Sequence, residues 1–234
     1  MSVRKEEFIN DEIYHVTVRG VEGRQFFIDD EDRWRGIFSL YEFNTKKQII
    51  IRNQREKRKT LKKRRGLASA AALGIEIDQR ARLVDILSFV FMPNHLHLLV
   101  RQRELNGVSM FMQKMGSGYS GYFNLRYKRK GHLFQGKFAA RHISGEEDLK
   151  RVFVYINTNP ISLIDPEWKQ KGVRDCAKVK KFLLSYRWSS YIDYLGIKNF
   201  PSVSERDFLL KIFGSSENAK KYVEDWIDNK RNLS

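Results

Sequence analysis

Residues 83–103 read LVDILSFVFMPNHLHLLVRQR, and this stretch decides the fold. Two apolar runs rich in Val, Ile, Leu and Phe flank Met92-Pro93-Asn94. Branched and aromatic side chains suit a pleated surface. Pro presets φ and Asn tolerates left-handed geometry, so the tripeptide favours a turn. The pattern predicts a β-hairpin with strands near 84–91 and 95–102. The second strand carries His95, Leu96 and His97. Residues two apart share a strand face, so both imidazoles lie on one side and Leu96 on the other. Two same-face histidines beside a turn are either chelating ligands for a divalent metal or two partly exposed strand residues. The H-x-H spacing alone does not choose between them.

Outward from the hairpin, the chain has 234 residues, enough for one generous domain or a domain with an appendage. Apolar residues make up 41%, which supports a real core. The formal net charge of +16 calls for an acidic partner, with nucleic acid the default and a membrane surface the competitor. No apolar run approaches the roughly 18–20 residues of a membrane-spanning helix, and MSVRKEEFINDEIYH has no apolar segment of the signal-peptide kind. A lone cysteine, Cys176, excludes an intrachain disulfide and a cysteine-rich zinc site. The setting expected from this is the reducing cytoplasm of a bacterium.

In chain order, residues 12–20 (EIYHVTVRG) alternate as a strand ending at Gly20. In 25–43, Asp29-Asp30 is a helix-capping pair, and Trp34, Ile37, Phe38 and Tyr41 recur at helical spacing. That predicts a helix packed on the sheet. From Arg52 to Arg65, nine of fourteen residues are basic and only Glu56 is acidic. Such a run is a solvated face or a phosphate-binding arm. Ala-rich helix formers broken by Gly74 follow it. Residues 47–80 are therefore expected to form an insertion. A helix with three internal glycines is predicted from about 108, then a strand over LFQGKFAARHI (133–143). Ser144 and the acids 146–148 open another helix, with Leu149, Val152, Phe153 and Ile156 as its buried stripe. Tyr155 and Asn159, four apart, share one face, whereas Asn157 points elsewhere. Pro160 stops the helix. The tail reads as two short helices.

These strings together resemble the REP-associated tyrosine transposases, single-tyrosine enzymes built on a His–apolar–His strand. The resemblance rests on MPNHLHLLV, on Tyr122-Phe123-Asn124 through Arg126-Tyr127-Lys128-Arg129 and on to Phe138, on VYINTNP, and on Tyr186-Arg187-Trp188-Ser189-Ser190-Tyr191. It covers roughly 10–45 and 82–230, and the 47–82 stretch departs from it. It implies an α+β fold, a central antiparallel sheet with helices on one face, ferredoxin-like or palm-like. The transposase domain would span 1–195, including the 47–80 insertion, with a helical appendage over 196–234.

The same resemblance implies Tyr155 as nucleophile and His95, His97 and Asn159 as ligands of one divalent ion, Mg or Mn, with His15 as a neighbour of the site. Tyr155 would attack a DNA phosphodiester to give a 5′-phosphotyrosine and a free 3′-OH, conserving the bond for transfer to another end. Hairpin or other single-stranded DNA is the implied substrate, handled by a monomer or homodimer on the bacterial nucleoid, with no membrane partner. Basic and aromatic residues that interleave suit single strands, where rings stack on bases and cations track phosphates. On that ground Arg58, Lys62, Arg64, Arg126, Tyr127, Lys128, Arg129, Lys137, Arg187 and Trp188 are DNA-contact candidates. Two other classes stay open. One is a DNA-binding protein without chemistry, which would need none of the four site residues. The other is a metal-dependent nuclease using water, which would leave no covalent adduct.

Overall fold

The computed structural model describes residues 7–51, 53, 56 and 80–231. Arg58, Lys62, Arg64, nearly all of the basic run and the Ala-rich stretch after it lie outside these residues. Four strands form one antiparallel sheet in the order β2-β3-β1-β4. They are β1 (Ile13–Arg19), β2 (Val84–Met92), β3 (His95–Gln102) and β4 (Ala139–His142). The hairpin closes at Met92 opposite His95. The helices are α1 (Asp30–Glu42), α2 (Gly107–Arg126), α3 (Gly145–Thr158), the short turns α4 (Trp168–Lys171) and α6 (Tyr191–Tyr194), α5 (Cys176–Ser185), α7 (Asp207–Phe213) and α8 (Ser216–Asn229).

Strand alternation sorts the side chains into two layers. Tyr14, Val16, Val18, Leu96, Leu98 and Val100 face α1 and α2 in an aromatic-rich core. Leu99, Val90 and Met92 face the other way, against Phe153 and Ile156 of α3 and the C-terminal helices. Helices thus cover both faces of the sheet, where the sequence reading placed them on one. The cause is visible in β2, whose nine residues are all buried. A strand covered on both sides reads as a continuous apolar run, as VDILSFVFM does. A bulge between Ile86 and Ser88 inserts one residue. It keeps Phe89 and Phe91 on the α1–α2 side and turns Ser88 toward α3.

Three local expectations shift. In α1 the buried residues include Ile37 and Leu40, but Trp34 is 47% exposed, so the stripe is rotated from the predicted one. In α2 the helix is unbroken; a Cβ on Gly118 would lie 2.3 Å from the Phe43 ring, so this glycine permits close packing with the end of α1. The strand expected over 133–143 shortens to Ala139–His142, with an isolated bridge from Phe134 to Gly20 before it.

The free edge of β2 is covered by the chain itself. Phe91 N–H donates to the Trp188 carbonyl and Ser190 N–H to the Phe89 carbonyl, at 2.9 and 3.0 Å. Ser189 and Ser190 are buried there. An exposed edge invites pairing with another chain, so this cover satisfies an obligation of the backbone. Leu209 and Phe213 of α7, with Ala219, Val223 and Ile227 of α8, complete the core on the α3 side.

Candidate active site

β3 presents His95 and His97 on the face that α3 covers. β1 runs beside it with Thr17 opposite His97 and Arg19 opposite His95, so His15, Thr17 and Arg19 share that face. Ring centroids of His95 and His97 are 4.9 Å apart, and His15 stacks on His97 at 5.1 Å. From α3, the Tyr155 ring approaches edge-on to His97 at 5.4 Å and to His15 at 5.7 Å. One turn on, Asn159 Oδ1 stands 3.4 Å from His95 Nε2, while its Nδ2 donates to the Tyr155 carbonyl at 3.2 Å. The structure therefore brings together Tyr155, His95, His97, Asn159 and His15.

The register of α3 has a physical anchor. Asn157 is fully buried and donates to Ser88 Oγ at 3.2 Å and to the Phe153 carbonyl at 2.8 Å. Ser88 in turn meets Ser190 Oγ at 2.9 Å. This polar contact locks the helix to the bulge in β2 and to the segment that covers its edge. Tyr155 and Asn159, two positions to either side, are turned toward the histidines.

Burial sets the electrostatics. Desolvation, reinforced by the Arg141 charge, lowers the His15 pKa to about 4. Desolvation lowers His95 to about 4 as well, against a bond to Asn159 that raises it, with Arg19 and Lys169 adding to the fall. His97 drops to about 2, first by desolvation and then by its two imidazole neighbours. All three rings are neutral at pH 7, the form that ligates metal. His97 Nδ1 lies 2.9 Å from His15 Nε2 and 3.1 Å from Thr17 Oγ1. With the proton assigned to Nδ1 and donated there, Nε2 keeps its lone pair.

A metal fits this donor set. His97 Nε2 is buried and has no partner among the described residues. His95 Nε2 and Asn159 Oδ1 converge to a separation comparable with the roughly 3 Å between neighbouring ligands at bond lengths of about 2.1 Å. Among the described residues no three His, Cys, Asp or Glu side chains form such a group; the Asn159 amide oxygen is the further donor atom beside the two imidazoles.

Sequence reasoning missed the cations around this site. Lys169 Nζ sits 5.3 Å from the Tyr155 ring centroid, and Arg19 flanks His95. Arg141, opposite His15 on β4, is engaged by Asp148 at 2.8 Å. Arg19 was legible, four residues after His15 on the same strand. Lys169 was not, because only the turn after Pro160 brings α4 over Tyr155.

The other DNA-contact candidates lie elsewhere. Arg126 is paired with Asp29, Glu31 and the buried Asp32, at 2.7, 3.1 and 2.8 Å. The bond to Asp29 first, then Tyr122 and the Asp32 charge, raise its pKa. Tyr127 donates to Asp32 at 2.8 Å. Arg129 donates to Asn124, while Lys128 and Lys137 are exposed. Trp188 is 6% exposed, and Arg187 stacks over Trp34 at 4.8 Å and Trp188 at 5.3 Å.

With this geometry in hand, comparison with known proteins gives the class. The model of the IS200-like transposases matches residues 41–159, just over half of the chain, and the chain belongs to that family. The match contains His95, His97, Tyr155 and Asn159. Among solved structures, the chain is similar to a REP-associated tyrosine transposase bound to a REP hairpin, at 15% identity and a TM-score of 0.48, over 88% of this chain and 93% of that one. No curated protein matches. Among the described residues no helix is long and apolar enough to cross a membrane.

Proposed function

We propose that this chain is a metal-dependent single-stranded DNA endonuclease and strand transferase of the REP-associated tyrosine group, with Tyr155 as nucleophile. The observation that carries the reading is the convergence of Tyr155, His95, His97 and Asn159 on one face of the sheet, from β3 and α3. The Tyr155 oxygen attacks phosphorus, a 5′-phosphotyrosine forms and the 3′-oxygen departs; reversal onto a second end rejoins the strand. His95, His97 and Asn159 would hold a divalent ion, Mg or Mn, whose chemistry when bound is to polarise the phosphate. His15 and Thr17 orient the His97 ring through Nδ1. Lys169 and Arg19 neutralise the phosphate that approaches Tyr155, which lowers the cost of bringing an anion to the phenol. The substrate is a DNA hairpin with a single-stranded flank, and the setting is the bacterial cytoplasm. The enzyme acts as a monomer or homodimer. The transposase domain spans 1–195, and 196–234 is appended to it.

The test is incubation with labelled DNA hairpins and Mn, followed by denaturing electrophoresis and mass spectrometry of the shifted band. A nucleotide on the peptide that contains Tyr155 supports the reading. Cleavage products without any adduct would show hydrolysis by water, and an adduct on another tyrosine would reject the assignment.

A further inference from the structure

A cleft of about 630 Å³ opens on the face of the sheet away from the histidines, between α2 and the loop 131–138. That volume falls in the range of small-ligand sites. One wall is a face of α2, where Ser109, Gln113 and Ser117 stand one turn apart, with Ser120 beside them. The opposite wall carries the half-buried rings of Phe134 and Phe138, with Lys137 exposed beside them. Among the described residues, no side chain of Ser109, Gln113, Ser117, Ser120 or Lys137 has a hydrogen-bonding or ionic partner, so side-chain donors and acceptors line the cleft uncommitted.

The loop that lines the cleft is tied to the strand that borders the site. The loop pairs with the end of β1: Gln135 N–H donates to the Arg19 carbonyl at 2.9 Å, Val21 N–H donates to the Leu133 carbonyl at 3.0 Å, and Phe134 bridges to Gly20. Arg19 in turn faces His95. A strand leaving the histidines over the end of β1 therefore meets the mouth of the cleft after crossing only the thickness of the sheet. A chain of charge +16 favours a polyanion along that route. The wall chemistry fits the flat, apolar faces and polar edges of a base better than it fits a phosphate, for which one lysine is available.

We propose that this cleft receives an unpaired nucleobase of the same DNA strand whose phosphate is processed at Tyr155, with Lys137 on the adjoining backbone phosphate. The inference rests on the reading of the site given above, and deepens it by assigning where the flanking strand is held. Base faces pack on Phe134, and base edges hydrogen-bond to the serines and Gln113.

Two fluorescent probes test it by anisotropy at fixed salt: oligothymidylate and an abasic oligomer of equal length. The wild type is expected to favour the probe with bases by roughly ten-fold. Ser117→Leu, which fills the cleft, should bring that ratio close to one while leaving affinity for the abasic probe unchanged. Gln113→Leu, one turn away on an exposed position, repeats the test if Ser117→Leu melts early. Lys137→Glu should weaken both probes alike. A base preference that survives both fillings, or a Lys137→Glu protein that binds both probes as well as wild type, overturns the proposal. No cleavage enters these measurements. A protein that forms no Tyr155 adduct yet loses base preference on filling would refute the transferase reading and leave the cleft assignment standing.

Discussion

The two faces of the sheet are built from the same strands and obey opposite rules. On the α1–α2 face, β1 and β3 contribute Val16, Val18, Leu96, Leu98 and Val100, and the layer is closed by stacked rings such as Phe27 on Phe91 at 4.3 Å. On the α3 face, the alternate residues His15, Thr17, His95 and His97 leave a buried nitrogen without a partner. The first face is packed throughout; the second, beside the packing of Val90, Met92 and Leu99, holds His97 Nε2 buried without a partner among the described residues, where binding a ligand completes it. Neighbouring residues in one strand, such as His97 and Leu98, should therefore respond to substitution in different currencies: chemistry for the first, stability for the second.

The largest effect expected is on the chemical side. Tyr155→Phe should reduce covalent DNA product by roughly 10⁴-fold or more, in a gel-shift assay under denaturing conditions. Its melting temperature and DNA affinity should stay close to wild type, because the hydroxyl makes no internal bond among the described residues. Next comes the contrast within β3. Leu98→Ala should cost about 2–5 kcal/mol in urea titration and retain adduct formation per folded molecule. His97→Ala should abolish the product at a smaller cost in stability. If the two variants lose stability and product in the same proportion, the division between faces is wrong.

The pattern that makes the faces legible is periodicity. HLHLLV and YHVTVR announce both the strands and the grouping of the histidines, and the i, i+4 spacing of Tyr155 and Asn159 announces their shared helix face. What brings β3 and α3 together is long-range: the Asn157–Ser88–Ser190 contact joins residues 69 and 102 positions apart, and no local pattern encodes it. The same holds for Lys169, and for the fate of the YRWSSY segment. Its aromatic and basic residues read as a DNA loop, yet its backbone pairs with β2 and Trp188 is buried. The covering of both faces was written in the unbroken apolar run of β2, whose lack of alternation the one-face reading passed over.

Acid separates the faces in a third way. The unfolded chain takes up protons at His15 and His95 near 6.5, but the folded chain does so only near 4. The unfolded state therefore binds more protons in that window. Stability should be full above about pH 6.5 and fall as pH drops toward 4, by a few kcal/mol in all. Urea titrations at a series of pH values without added metal check this, and His15→Gln should flatten the fall. Leu98→Ala should leave the slope as it is.

The smallest effects concern cations. Arg19→Ala and Lys169→Ala should each reduce the slope of log K against log salt by about 1, since neither side chain has an ionic partner among the described residues. Arg126→Ala should leave that slope unchanged and cost about 1–3 kcal/mol of stability, because Arg126 serves Asp29, Glu31 and Asp32. A lower slope in Arg126→Ala would reassign it to the DNA.

The extra residue in β2 carries a consequence for inheritance. Beyond Ile86 the strand keeps its phenylalanines on one side only because the bulge is there. Loss of the Leu87 codon would remove only the bulge and leave Ser88, Phe89 and Phe91 on their faces, whereas loss of the Val90 codon would send Phe91 toward α3, since a shift of one position exchanges the faces of a strand. Beyond the bulge a change of one letter is survivable, whereas a change of length is not. Between α1 and β2 no strand lies among the described residues. Gene-level drift in such a protein should accumulate length in the connection and only substitutions in the strand beyond its bulge.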